Sequence, residues 1–135
     1  MNAHVNNPSG VFVSNGEVFI ADTENHRVRK LLRNGQIVII AGTGIAGYNG
    51  DGELATDAQL DFPISVVVSS SNQVYISEKE NCLIRKIDQN GIISTIAGNG
   101  VVTTMDTMVI GPKKKALIKP FPKSYLDLTI TTISN

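Results

Sequence analysis

The groups able to do chemistry are few and dispersed. The chain of 135 residues has two histidines, His4 and His26, and one cysteine, Cys82. His26 and Cys82 could ligate zinc, which needs about four donors, each about 2 Å away. The segment Asn49-Gly50-Asp51-Gly52-Glu53 places oxygen side chains at alternate positions, as a calcium loop would. A calcium loop that started at Asn49 would need glycine at its sixth position and glutamate at its twelfth; Leu54 and Leu60 stand there. Gly42-Thr43-Gly44-Ile45-Ala46-Gly47 fits a bare G-x-G-x-x-G pattern. No helix-forming segment follows it, so it lacks the helix N-terminus that would hold a phosphate, and it reads as a connection. Serines are plentiful, but no G-x-S-x-G elbow is present. Glu80, two residues from Cys82, would raise a thiol pKa and blunt it as a nucleophile. No catalytic residue, cofactor or metal site is therefore assigned, and the protein is not expected to be an enzyme.

The elements that carry these residues repeat. Sliding the sequence by 56 positions lays Val18–Gly44 on Val74–Gly100 with 13 of 27 positions identical. The matches include Glu24/Glu80, Asn25/Asn81, Arg29/Arg85, Lys30/Lys86 and Asn34-Gly35/Asn90-Gly91. Upstream the offset becomes 55, with Pro8 on Pro63 and Val11-Phe12-Val13-Ser14 on Val66-Val67-Val68-Ser69. One residue has been added in the turn at Ser70–Asn72, where a length change is tolerated.

Each unit reads as four short strands cut by turns. The first unit gives Gly10–Ser14, Glu17–Ala21, Arg27–Leu32 and Gln36–Ala41; the second gives Ser65–Ser69, Val74–Ser77, Leu83–Asp88 and Ile92–Ala97. Asn15-Gly16 and Asn34-Gly35 predict type I′ hairpin turns, whose two central residues need positive φ. No stretch sustains a helical apolar period. Ile37-Val38-Ile39-Ile40 and Val66-Val67-Val68 do not alternate with polar residues, as expected of sheets covered on both faces. Four antiparallel strands per unit is the plan of a β-propeller blade.

At this point the motifs become specific. Asn25-His26-Arg27-Val28-Arg29-Lys30, then Asn34-Gly35, then Ile40-Ala41-Gly42-Thr43-Gly44, resembles the NHL-repeat family. So do Gly47-Tyr48-Asn49-Gly50-Asp51-Gly52, Ala55-Thr56-Asp57-Ala58-Gln59-Leu60 and Phe62-Pro63. This longer variety of the repeat is found in large multidomain propeller proteins, teneurin-like and bacterial sensor proteins among them. The resemblance covers residues 7–100. In the second unit Asn81-Cys82-Leu83 replaces Asn-His-Arg and Glu78-Lys79 replaces Asp-Thr. The resemblance implies diverse partners, proteins, RNA and extracellular ligands among them; the expected fold is all-β and the expected function a non-enzymatic repeat scaffold for protein–protein interaction.

The expected organisation is two four-stranded antiparallel propeller blades, 7–44 and 62–100, linked by loop 45–61 within 1–100. An irregular tail, 101–135, follows; it is degenerate or disordered, or the start of a third unit, with one strand over Leu126–Ile133. Closed propellers need about four to eight blades, so two units form an incomplete propeller. The chain is expected to be a fragment of a larger NHL protein or a piece that assembles with others through its exposed blade faces.

Composition narrows the partners. Lys plus Arg and Asp plus Glu each number 12, so no global charge attracts nucleic acid or anionic lipid. The tail differs, with five lysines against two aspartates. Its Lys113-Lys114-Lys115, Lys119 and Lys123 offer one alternative, nucleic-acid binding. With only Phe121 and Tyr125 interleaved, nucleic acid is not the expected partner. A second alternative is an enzymatic propeller resembling peptide-amidating lyases with a metal on its axis, opposed by the shortage of converging ligands. One cysteine cannot form an intrachain disulfide, and no apolar run reaches the roughly 18 residues of a membrane span. Residues 1–10 lack the apolar core of a secretory signal.

Arg27, Arg29, Lys30, Arg85 and Lys86 recur on the third strand of each unit. The pleat sends neighbours to opposite faces, so a structural task is expected for them, such as pairing with loop Asp or Asn across blades. The partner-binding candidates lie on the long loop: Tyr48, Asn49, Asp51, Glu53 and Asp57. The competing reading makes that loop a packed connector with Tyr48 and Leu54 as its own small core.

Overall fold

The computed structural model describes residues 3–98 and, beyond them, strands 107–110, 114–117 and 131–134. The first blade contains β1 (Gly10–Ser14), β2 (Glu17–Asp22), β3 (Arg27–Leu31) and β4 (Ile37–Ala41) in spatial order β1-β2-β3-β4, every neighbour antiparallel. The second repeats the plan with β5 (Pro63–Val68), β6 (Val74–Glu78), β7 (Leu83–Ile87) and β8 (Ile93–Ala97). The two quartets of strands expected from the repeat are present, with ends shifted by a residue or two. No α-helix occurs among the described residues, and no helix there is long and apolar enough to cross a membrane.

Of the tail, 101–135, only three short segments are among the described residues. They form β9 (Thr107–Ile110), β10 (Lys114–Leu117) and β11 (Thr131–Ser134), which prolong the second sheet past β8. Among the described residues one cross-strand pair, Ala97 with Ile110, joins them to it. A lysine run reads as a solvated segment, which hides β10 in the sequence. Of the strand expected over Leu126–Ile133, residues 126–130 lie outside the described residues, and 131–133 fall in β11. Residues 118–130 lie outside the described residues, and so does much of what would decide whether a third unit begins here.

The turns explain the length difference between the copies. Asn15 (φ 52°) and Gly16 (φ 75°) form the two-residue turn expected of a type I′ hairpin. The other predicted type I′ turn, Asn34-Gly35, is a correction. Of that pair only Gly35 has positive φ, and the loop is three residues long, closed by Gly35 N–H to Leu32 O and Leu32 N–H to Gln36 O. This is a type I turn followed by a left-handed residue. The second copy uses the same device at both places, with Asn72 (φ 61°) and Gly91 (φ 82°) as the left-handed residues. The added residue at Ser70–Asn72 thus converts a two-residue hairpin into a three-residue one.

Other left-handed positions also coincide between the copies. Asn7 and Phe62 have φ of 50° and 49°, and His26 and Cys82 have 52° and 51°. His26 and Cys82 close the sharp polar bend between the second and third strands of their blades, and each donates its N–H to the residue three back.

Register assigns the two faces of each blade. In the first, Val11, Val13, Val18, Ile20, Arg29, Leu31, Ile37 and Ile39 are cross-strand partners on one face. Phe12, Phe19, Ala21 and Val28 lie on the other and enter the core. There they meet Val66, Val74, Ile76, Ile87 and Ile93 of the second blade. The sheets therefore stack face to face. Thr23 Oγ1 crosses the junction to donate to Pro63 O at 2.8 Å and lies 2.5 Å from Ser9 Oγ, which donates in turn to Ile64 O.

Candidate functional site

Each blade is tied by the same polar knot. In the first, Asp22 ends β2, Asn25 sits in the bend and Arg29 lies on β3. Arg29 Nε donates to Asp22 Oδ2 at 2.5 Å, and Asn25 Nδ2 reaches the same carboxylate at 2.9 and 3.0 Å. The N–H of Asn6 completes it at 2.7 Å. In the second blade Glu78, Asn81 and Arg85 do the same work. Arg85 Nη1 is 3.2 Å from Glu78 Oε2, and Glu78 Oε1 accepts from Asn81 at 2.9 Å and from the Asp61 N–H at 2.7 Å. A buried carboxylate is tolerated only with such partners. Burial nevertheless prevails at Glu78. Desolvation raises its pKa above the ordinary 4.5, against the opposing Asp61 N–H, Arg85 charge and Asn81 amide.

Arg29 and Arg85 therefore have the structural task expected of them. Each pairs with an acid of its own blade, and Arg85 in addition pairs with a loop aspartate, Asp51, as expected. The role of Asp22 and Glu78 was not expected, since their difference in type reads as a departure between the copies; the signal present was an acid at the same offset. Lys30, on the opposite face from Arg29, pairs with Glu17 at 3.1 Å and lies over the Phe19 ring.

Loop 45–61 is bolted down at both ends. The amides of Gly42, Thr43 and Gly47 donate to the carbonyls of Ala55, Ala58 and Leu60. The amides of the G-x-G-x-x-G stretch thus serve a connection. Further on, Gly52 N–H donates to Ile93 O, Ile93 N–H to Glu53 O, and Ala55 N–H to Gly91 O, so the loop runs along β8 as an irregular extra edge. Ala55, Ala58 and Leu60 are buried in the inter-blade core. The expected small core of Tyr48 and Leu54 is not found; both are about half exposed, at 51% and 49%. Alanine at 55 and 58 lets the backbone lie close, leaving the larger side chains outside.

Of the five predicted binding residues, three converge on Arg85. Its Nη2 donates to Asn49 O and Asp51 Oδ1, both at 2.8 Å, and the Tyr48 ring stacks 5.1 Å from its guanidinium carbon. Asp51 Oδ2 accepts the Thr95 N–H at 3.0 Å, and Asn49 Oδ1 accepts the Gln59 N–H at 2.8 Å. Glu53 and Asp57 remain exposed and enter the framework only through their backbones. The result is a rigid ridge carrying one aromatic ring and two outward carboxylates.

His26 is spent on packing. Its Nδ1 accepts the Phe62 N–H at 3.2 Å, lies 3.6 Å from Asp61 Oδ1, and its ring meets Phe62 edge to face. Cys82, at the matching corner, lies near the Lys79 carbonyl. No group of three or more His, Cys, Asp or Glu side chains that could hold a metal occurs among the described residues.

Comparison with known proteins agrees with this architecture. Residues 5–31 match the NHL repeat model, and residues 44–113, over half of the chain, match the teneurin NHL domain. Teneurin-m of Drosophila melanogaster is 32% identical over 97 residues, covering 62% of this chain and 4% of its own length. NHL repeat-containing protein 2 of Gallus gallus is 38% identical over 89 residues, covering 65% of this chain and 12% of its own. Among solved structures, virginiamycin B lyase from Staphylococcus aureus superposes with a TM-score of 0.51 at 16% identity, over 95% of this chain and 41% of that one. The chain thus spans only a small part of its curated relatives, and the lyase likeness is one of fold. With its duplicated four-stranded units, their matching turns and the long Gly-rich connector all in place, the chain belongs to the NHL-repeat family.

Proposed function

We propose that this chain is a non-enzymatic repeat scaffold for protein–protein interaction, working within a larger NHL propeller, and that the 45–61 ridge is its contact surface. The observation that carries this is the way Arg85, wholly buried, holds Asp51, Asn49 and Tyr48 in place. A long loop so fixed presents Tyr48, Glu53 and Asp57 at little entropic cost on binding. Tyrosine flanked by carboxylates suits a protein surface with a basic rim.

The test is affinity capture from cells with the wild-type chain and with the Glu53→Lys, Asp57→Lys double variant, its fold checked by circular dichroism. These side chains bear no part of the framework. Loss of the captured proteins with the variant supports the ridge. An identical captured set from both would overturn it.

A further inference from the structure

Asn-Gly is a dipeptide that can react with itself. The glycine amide nitrogen can attack the asparagine side chain, because no Cβ on the glycine stands in the way. Five copies occur in the sequence, with asparagine at 15, 34, 49, 90 and 99. The last lies outside the described residues, and the structure separates the other four.

At three of them a reacting group is held. Asn34 Oδ1 accepts the Gln36 N–H at 2.9 Å, and the Gly35 N–H donates to Leu32 O. After Asn90, the Gly91 N–H donates to Asp88 O, and Gly91 O accepts the Ala55 N–H. Asn49 Oδ1 accepts the Gln59 N–H at 2.8 Å; its carbonyl accepts from Arg85, whose charge already faces Glu78 and Asp51. Asn15-Gly16 is different. Both residues are exposed, and neither the Asn15 side chain nor the Gly16 N–H has a hydrogen bond among the described residues. What is held is the Asn15 carbonyl, which accepts from Arg33 Nε at 2.8 Å and from Arg33 Nη2. The guanidinium fills the space that a Cβ at Gly16 would need. It has no ion pair among the described residues. The second blade shows that this cap needs no charge. Gln89 stands where Arg33 does, and its Nε2 donates to Ser71 O at 2.8 Å, in a turn without Asn-Gly.

We propose that Asn15 is a self-modification site, deamidated through the Gly16 nitrogen with Arg33 stabilising the charge that develops. Hydroxide takes the Gly16 N–H proton, and the negative charge left behind is shared with the Asn15 carbonyl oxygen, where the guanidinium meets it. The nitrogen then bonds to Asn15 Cγ, the Cγ–Nδ2 bond breaks, and ammonia leaves with a proton taken from water. Water opens the resulting succinimide at either ring carbonyl, and the nitrogen regains its proton. Opening at Cγ gives aspartate; opening at the main-chain carbonyl gives isoaspartate, with the chain rerouted through the side chain. Each event sets a new carboxylate beside Arg33, and isoaspartate lengthens the two-residue turn between β1 and β2 by one carbon. The site uses none of the ridge residues, so it and the scaffold reading fail separately.

The experiment is peptide mapping by mass spectrometry on the full chain held at neutral pH, following conversion of Asn15, Asn34, Asn49 and Asn90 with time. Asn15 is expected to convert first, to a mixture of aspartate and isoaspartate. Arg33→Gln, which installs the second blade's own capping residue, should slow Asn15 by about three- to tenfold and leave the other three rates alone. Solvent screens an exposed guanidinium, so the effect falls short of that at a buried oxyanion site. Conversion of Asn15 no faster than that of the other three would overturn the proposal, and so would an Asn15 rate unchanged by Arg33→Gln. Circular dichroism checks the fold of the variant. Should it misfold, salt decides on the wild type. High salt should slow Asn15 alone, and an Asn15 rate indifferent to salt refutes the proposal.

Discussion

Arg85 and Glu78 meet inside the second blade with Nη1 and Oε2 3.2 Å apart and both side chains fully buried. The same arginine reaches out to Asp51, so one guanidinium fastens the strand pair and the connector together.

Arg85→Ala removes the cation from a buried acid and both anchors from the loop. A loss of about 3–5 kcal/mol is expected, the range for breaking one side of a buried pair. Urea unfolding measures it. The double variant Arg85→Ala, Glu78→Gln should lose less than the sum of the two singles, because the second change removes the stranded charge.

The pH dependence of Glu78 has a definite sign. Its folded pKa is raised by burial, so its contribution to stability is complete below 4.5 and is lost as pH rises through the folded value. Relative to Glu78→Gln, the wild type should therefore lose stability on going upward from pH 4.5. A relative gain over that interval would mean that Arg85 and the Asp61 amide outweigh desolvation.

Gly42 and Gly35 both have positive φ, at 93° and 87°, yet they predict different outcomes. A Cβ at Gly42 would run into the His26 carbonyl oxygen, whereas one at Gly35 meets nothing. Gly35→Ala should cost about 1 kcal/mol from its dihedral alone. Gly42→Ala should cost about 3 kcal/mol or more, since backbone must also move. Thermal unfolding of the two variants side by side checks the order.

Thr23 joins the blades through one hydroxyl. Thr23→Val keeps the shape but leaves the buried Pro63 carbonyl without that donor, at an expected loss of about 1–3 kcal/mol. If this junction is what cooperativity runs through, the variant's unfolding transition should also broaden.

Much of the fold was legible because repetition is local. The offsets of 56 and 55 together placed eight strands, and Asn15-Gly16 announced its turn through the φ preferences of its own two residues. The site was less legible. Asp51 and Arg85 lie 34 positions apart, and nothing in either residue's neighbourhood names the other. The ridge residues were chosen for lying on a long loop, but the fastening that makes the loop stiff depends on long-range geometry. Asn34-Gly35 misled because the same dipeptide serves two turn types, distinguished by hydrogen bonds one residue away. The exchange of Asp22 for Glu78 was visible but read as a departure between the copies, because the partnership with Arg29 and Arg85 spans seven residues and two strands.

The paired corners at His26 and Cys82 have a practical sequel. Their backbones bend alike while one bears an imidazole and the other a thiol. Each is thus a ready mounting point whose direction is set before its cargo is chosen. A spectroscopic label or a metal-binding group grafted at either bend would inherit a known orientation, repeated one blade further on.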